Sequence, residues 1–371
     1  MKRVVVVAGA IACKPGYGGH TWALLQYVLG FRDLGWDVVL VDETDGPADS
    51  AGVRYLMDTM AQLGLAGQYA LLLPGGGSVG LPRSEVRNKI AAAEFLLNIM
   101  GYLKSADLLA PAKRRVFLDI DPGFGQMWRE LTLADPFANH DCFVTIGENI
   151  GADDCAIPTC GLTWITTPQP VVLAHWPALP PISDTFTSVA SWRGAYAPVE
   201  YHGVTYGLRV HEFRKFVTLP GVTGRRFELA LDIDPADARD RHLLETNGWT
   251  LVNPRSVAAD VNAYRNYIAA SGAEFMVAKN IYVRSNSGWL SDRSLCYLAT
   301  GRPVIAQDTG FGVRYPTGRG LLSFSTVDEA AAAVESVGTA YDAHARAARE
   351  LAAEYFDSRR VLSRLADEVL Q

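Results

Sequence analysis

Four stretches of the chain concentrate side chains that can hold anions, take up protons or donate hydrogen bonds. The first is Lys14-Pro15-Gly16-Tyr17-Gly18-Gly19-His20. Gly18 and Gly19 would let a ligand approach the backbone, and the start of a helix favours negative charge. The His20 imidazole suits removal of a hydroxyl proton near neutral pH; its plain alternative is a loop hydrogen bond. The second stretch runs from Lys279 to Ser294. Lys279 and Arg293 are suited to phosphate oxygens, and Ser287, Gly288 and Ser294 to polar ligand groups. Ser291 is placed to cap a helix, with Asp292 and Arg293 in its first turn. A cation there opposes the helix dipole, which points to a ligand for Arg293; the alternative is a solvated helix start. The third stretch is Gln307-Asp308-Thr309-Gly310, where Asp308 can accept from hydroxyls and Thr309 and Gly310 can offer backbone N–H groups. The fourth is Asp119-Ile120-Asp121-Pro122-Gly123, a carboxylate cluster or simply a turn. Asp121 would orient His20 or act as the base itself. Glu148 and Asn149 are weaker candidates; Trp192 with Arg193 would border a ligand site on the second half of the chain, with core packing as the alternative for Trp192.

These residues need elements that bring them together. Residues 4–8, 37–41, 95–99, 115–118 and 142–146 are short apolar runs, interleaved with helical stretches such as 20–34. Strands apolar throughout predict a parallel sheet covered on both faces, and the alternation predicts a doubly wound domain. Prolines 168, 170, 177, 180 and 181 then crowd residues 166–183, predicting an extended connector. The alternation restarts with runs at 187–192, 227–231, 250–252, 274–278, 303–306 and 321–324, with helical patterns at 257–270, 289–299, 326–337 and 359–370. The expected organisation is a domain of residues 1–166, a linker of 167–183, a second domain of 184–357, and a terminal helix of 358–371 packing back on the first domain. In such folds ligands sit beyond the carboxyl ends of the strands, where all four stretches fall.

Composition narrows the function. Of 371 residues, 49% are hydrophobic and 20% charged, ordinary for a globular chain. The net charge of −6 argues against a nucleic-acid partner. Nothing approaches the run of about 18 apolar residues that spans a membrane, so a cytoplasmic location is expected. Five cysteines without a CxxC pair predict free thiols, and His140, Cys142, Cys155 and Cys160 match no standard zinc spacing. The glycine loop fits neither a dinucleotide fingerprint, which would need glycine at Thr21, nor a P-loop. Asp42 alone keeps a dehydrogenase in view.

The run Ala299-Thr300-Gly301-Arg302-Pro303-Val304-Ile305 followed by a polar glycine turn, together with Gly18-Gly19-His20, resembles the GT-B glycosyltransferases, in particular a bacterial family-1-like group. The resemblance implies two Rossmann-like domains facing a cleft, a nucleotide-sugar donor on the second, and a small-molecule acceptor on the first. It implies no cofactor and no metal. The chain departs from the pattern where Gly288 and Cys296 stand in place of the glutamates of retaining members. Asp292, Ser294 or Asp308 would have to substitute. Loss of that pair points to an inverting reaction, and His20 stands where inverting relatives keep their base. A nucleotide-sugar 2-epimerase or a non-catalytic sugar-nucleotide-binding module are the alternatives on the same fold. The sequence carries no signal for oligomeric state.

Overall fold

A computed structural model describes residues 2–371. β1 (Val4–Gly9) is buried from Val5 onward. A strand apolar at every position requires cover on both faces. β2 (Asp37–Glu43), β3 (Tyr69–Leu72), β4 (Ser78–Gly80), β5 (Phe95–Ile99), β6 (Arg115–Asp119), β7 (Cys142–Thr145) and β8 (Trp164–Thr166) complete the first sheet, in the order β4-β3-β2-β1-β5-β6-β7-β8. Only β4 runs antiparallel, against β3. The second sheet contains β9 (Phe186–Ser191), β12 (Phe227–Asp232), β13 (Trp249–Val252), β14 (Ala273–Met276), β15 (Val304–Gln307) and β16 (Leu321–Phe324), in the parallel order β13-β12-β9-β14-β15-β16. β10 (Val199–Tyr201) and β11 (Val204–Tyr206) form a separate hairpin.

In both sheets the first strand is central, and the chain builds outward on one side before crossing to the other. The order therefore reverses between β1 and β5 and between β9 and β14, which makes those strand ends the natural ligand crevices. The two doubly wound sheets are those the apolar runs predicted. β3, β4, β8 and the hairpin lay outside that reading; they have three or four residues each. The helical pattern at 257–270 breaks into Pro254–Val257 and Val261–Ala270. Asp260 caps the second piece, accepting from the Asn262 and Ala263 N–H groups at 2.8 and 2.9 Å.

The proline-rich segment is not a bare tether. Val171 exchanges backbone hydrogen bonds with Phe356 and Ser358. Val172 N–H donates to Gln26 Oε1 at 2.8 Å, and Trp176 lies fully buried 4.9 Å from Trp22. The terminal helix Ser358–Leu370 lies against the first helix, Gly18–Asp33, with Leu362 and Ser358 over Gly30. Among the described residues no helix is long and apolar enough to cross a membrane.

Candidate active site

Facing strand ends of the two halves meet through one charged cluster. Lys279, just beyond β14, donates to both carboxylate oxygens of Asp121, just beyond β6, at 2.8 and 2.6 Å. The Tyr282 hydroxyl donates to the same carboxylate. The Lys279 ammonium also stands over three aromatic faces, 5.3 Å from Phe124 and Tyr282 and 5.9 Å from Tyr196. The paired side chains are only 16% and 20% exposed, so solvent screens them weakly. Lys14 completes the group. Burial lowers its pKa, the Asp121 charge opposes that shift, and Lys279 adds to it.

His20 lies nearby on the first turn of its helix. Its Nε2 is 3.0 Å from the Ala10 carbonyl. A carbonyl only accepts, so Nε2 carries the proton and Nδ1 keeps its lone pair. Burial first, then the Lys14 charge, lowers the His20 pKa to about 4. The ring is thus neutral across physiological pH, with Nδ1 as its acceptor, and a weaker base than the ordinary imidazole expected there. The expected pairing with Asp121 does not occur: Asp121 is taken by Lys279 and Tyr282, and His20 by its own loop. That loop is anchored by Asp42, whose Oδ2 accepts from Ala12 N–H at 2.8 Å. Burial pushes the Asp42 carboxyl up to about 7. Asp42 is 1% exposed and grips protein, not a ribose, which removes the dehydrogenase reading of that residue.

Gly18 and Gly19 do not form the open cradle expected of them. Gly18 N–H donates to the Ala258 carbonyl at 2.9 Å. A Cβ there would sit 2.3 Å from the Asp260 carbonyl oxygen, and one on Gly19 would sit 2.8 Å from Tyr264. The close approach that these glycines permit is to the second half of the chain itself. Trp22 extends the seam by donating to the Val261 carbonyl at 2.8 Å.

Ser287, Gly288, Asp308, Thr309 and Gly310 do come together. Gly288 N–H donates to the Thr309 carbonyl at 2.7 Å. The Asp308 carboxylate accepts from Gly310 N–H at 2.8 Å, and the Thr309 hydroxyl donates to the Trp289 carbonyl. Across these turns lies Asn149, from the loop after β7. Its backbone N–H donates to the Ser287 carbonyl, and its side-chain amide to the Asn286 and Gly310 carbonyls. Asn149 and Glu148, weaker candidates in the sequence, therefore act as a clasp; Tyr315 donates to the Glu148 carboxylate.

The arginines are a correction. Arg293 is 8% exposed, and its guanidinium is committed to Glu274 and, at 2.7 Å, to the Val189 carbonyl. Burial works against its charge, but Glu274 outweighs burial and keeps it protonated. The conflict with the helix dipole is thus resolved by a buried carboxylate, not by a ligand. Arg193 forms a fork on Asp237 at 2.8 and 2.5 Å. Ser291 stands at the cap position without a capping side-chain bond; its hydroxyl lies 3.5 Å from Asp292 Oδ1. Ser294 is buried with its hydroxyl unpartnered among the described residues. Of the three residues named to stand in for the missing glutamates, Ser294 is fully buried, Asp308 is half-buried and engages its own turn through Oδ1 alone, and burial raises the pKa of Asp292.

Three contributors carried no sequence signal. Arg209 donates to the Val277 and Ser191 carbonyls at the ends of β14 and β9, at 3.0 and 2.9 Å. Burial, then the Arg293 charge, lowers its pKa to about 10. Glu212 is buried and accepts from Lys215, Asn280 and Gln307 at 2.6–2.7 Å, fixing two residues at the strand ends. Tyr196 packs between Phe124 and Trp128, each 4.9 Å away. Among the described residues no group of three or more His, Cys, Asp or Glu side chains could hold a metal ion. His140 is instead hydrogen-bonded to Asn98 and to the Ala138 carbonyl.

No family model matches the chain, and no curated protein matches it. Solved structures do. An alpha-glucosyltransferase in complex with UDP superposes with a TM-score of 0.63 at 12% identity over 100% of both chains. AviGT4, a glycosyltransferase involved in avilamycin A biosynthesis, gives 0.57 at 13% over 99% and 97%. Anabaena HepE in complex with UDP and glucose gives 0.56 at 11% over 99% of each. The fold is therefore the GT-B glycosyltransferase fold. One expectation is overturned by the same group of structures: the alpha-glucosyltransferase is also solved with UDP and a 13-mer DNA, at a TM-score of 0.63 and 11% identity. Net acidity therefore does not exclude nucleic acid as a partner for a chain of this fold.

Proposed function

We propose that this chain is a glycosyltransferase that moves a sugar from a nucleoside-diphosphate donor to an acceptor hydroxyl in the crevice between the sheets. The observation that carries the reading is the Lys279–Asp121–Tyr282 cluster, which joins facing strand ends of a GT-B fold beside Lys14 and His20. The acceptor oxygen forms a bond to the anomeric carbon on the face opposite the departing group. The bond from that carbon to the diphosphate breaks, and its electron pair leaves with the diphosphate. The acceptor proton passes to His20 Nδ1. Lys279, Lys14 and Arg209 supply the positive charge that a departing diphosphate needs, so the proposed reaction is inverting and draws that charge from side chains, not a metal. A diphosphate beside Lys14 would offset the smaller part of the His20 pKa depression, which comes from the Lys14 charge, and leave the larger part, which comes from burial.

Incubation with a panel of nucleotide sugars, with and without acceptor hydroxyls, tests the reading. Transfer that needs acceptor supports it. Donor epimerisation without acceptor would assign a 2-epimerase, and donor binding without turnover a non-catalytic module.

A further inference from the structure

Beside the charged cluster the two halves leave a cavity of about 530 Å³, within the range of small-molecule sites. Trp128, Leu131 and Leu133 line it from the first half, and Tyr196, Pro198 and Glu200 from the second. Tyr196 meets Trp128 edge-on at 87°, so two aromatic surfaces stand at right angles along one wall. Leu133 is 69% exposed; an apolar side chain left in water at a cavity marks a surface that gains by being covered. Tyr196 links the groove to the charged cluster, because its ring also lies 5.9 Å from the Lys279 ammonium; Lys279, Asp121 and Tyr282 do not themselves line the groove. The one charged residue in the lining is Glu200, which favours a neutral ligand over an anionic one.

We infer that this groove is the acceptor site and that it takes a neutral, flat, aromatic compound carrying a hydroxyl. The ring system lies against Trp128, Tyr196 and Leu133, and its hydroxyl reaches inward toward Asp121 and Lys279. A sugar acceptor would call for a dense set of hydrogen-bonding groups, which this mostly apolar lining does not offer. The inference deepens the glycosyl-transfer reading and rests on it for the word acceptor; the binding itself does not.

Calorimetric titration of the full chain with 2-naphthol, methyl α-glucoside and UDP separates the possibilities. Saturable 2-naphthol binding is expected, with no binding of methyl α-glucoside at the same concentrations. Leu133→Asp, at an exposed position, should weaken 2-naphthol about tenfold by losing one apolar contact and adding a second acidic group. Leu179→Asp, 54% exposed and outside the groove, should leave it unchanged. UDP affinity should be equal in all three proteins. Absence of 2-naphthol binding, its insensitivity to Leu133→Asp, or methyl α-glucoside binding that Leu133→Asp weakens would each overturn the inference. If 2-naphthol behaves as expected but no nucleoside diphosphate binds, the groove stands and the glycosyl-transfer reading falls.

Discussion

Lys279 has exchanged much of its water for one carboxylate and three aromatic faces, an arrangement that holds an ammonium in place while leaving it able to attract a second anion. Removing it should show in the affinity for a charged ligand. Lys279→Ala is expected to weaken nucleoside-diphosphate binding by about 1.5–3 kcal/mol, the usual range for a charge-assisted bond, as read by calorimetry. Arg293 should behave in the opposite manner. Arg293→Ala leaves Glu274 buried without its partner, which typically costs about 3–5 kcal/mol of stability. Nucleotide affinity of the folded fraction should not change; a large loss of affinity would return Arg293 to the donor site. His20 makes a pH-dependent prediction. A base whose pKa lies near 4 places no acid limb in the pH–rate profile of kcat/KM between about pH 5.5 and 7.5, whereas an unperturbed imidazole would place one near 6.5. The depressed pKa has a linked effect on stability. As pH falls below about 6.5 the unfolded chain takes up a proton that the folded His20 refuses, so its contribution is full above that pH and is lost progressively toward pH 4. His20→Ala should abolish this pH-dependent part and lower turnover roughly a hundred- to ten-thousand-fold while donor affinity holds.

At the scale of elements, the loop from β1 into the first helix is defined by what presses on it. Gly18→Ala would drive a Cβ to 2.3 Å from a backbone oxygen of the second half, an overpacking of the kind that costs about 1–3 kcal/mol. Gly67, which has nothing within 4 Å of an added Cβ, provides the matched control. Denaturant midpoints of Gly18→Ala and Gly67→Ala should therefore separate clearly, and equal midpoints would remove the seam. The same loop shows what a sequence discloses. Strands that are apolar over most of their length announce their own burial, so β1, β5, β6 and β16 were readable nearly to the residue. β4 and β8 were not, because three-residue edge strands are too short to display a period; β3 lies inside the sheet and is apolar throughout, and so short a run cannot be told from helix by periodicity alone. Lys279, Asp121 and His20 could each be singled out by type and position. Their partners could not: Lys279 and Asp121 stand 158 positions apart, and no local pattern reports a pairing at that distance. The glycines were readable as sites of close backbone approach, but not whether a ligand or the protein does the approaching. Arg293 misled for the same reason, since its buried partner Glu274 lies in a strand that reads simply as apolar.

Across the whole molecule the halves are tied at both sides of the crevice. One tie is the proline-rich segment bonded to the residues before the terminal helix, with that helix lying on the first helix of the chain. The other is the line of contacts at Tyr17 with Asp232, Asp121 with Lys279, and Asn149 with Gly310. The chain should therefore unfold as one cooperative unit despite its two sheets. Removal of residues 358–371, which bury Leu362, Leu365, Ala366 and Val369, should destabilise both halves together; calorimetry showing only one half affected would contradict this coupling.

The two glycines at the seam also write different rules into the history of the sequence. At Gly19 the obstacle is the ring of Tyr264, a side chain that mutation can trim, so an alanine there becomes permissible in any lineage that first exchanges the tyrosine for something smaller. At Gly18 the obstacle is the carbonyl oxygens of Ala258 and Asp260, which every residue type carries. No single exchange elsewhere relieves it. Among descendants of this chain, position 19 should vary hand in hand with position 264, while position 18 should stay glycine for as long as the two halves meet in this way.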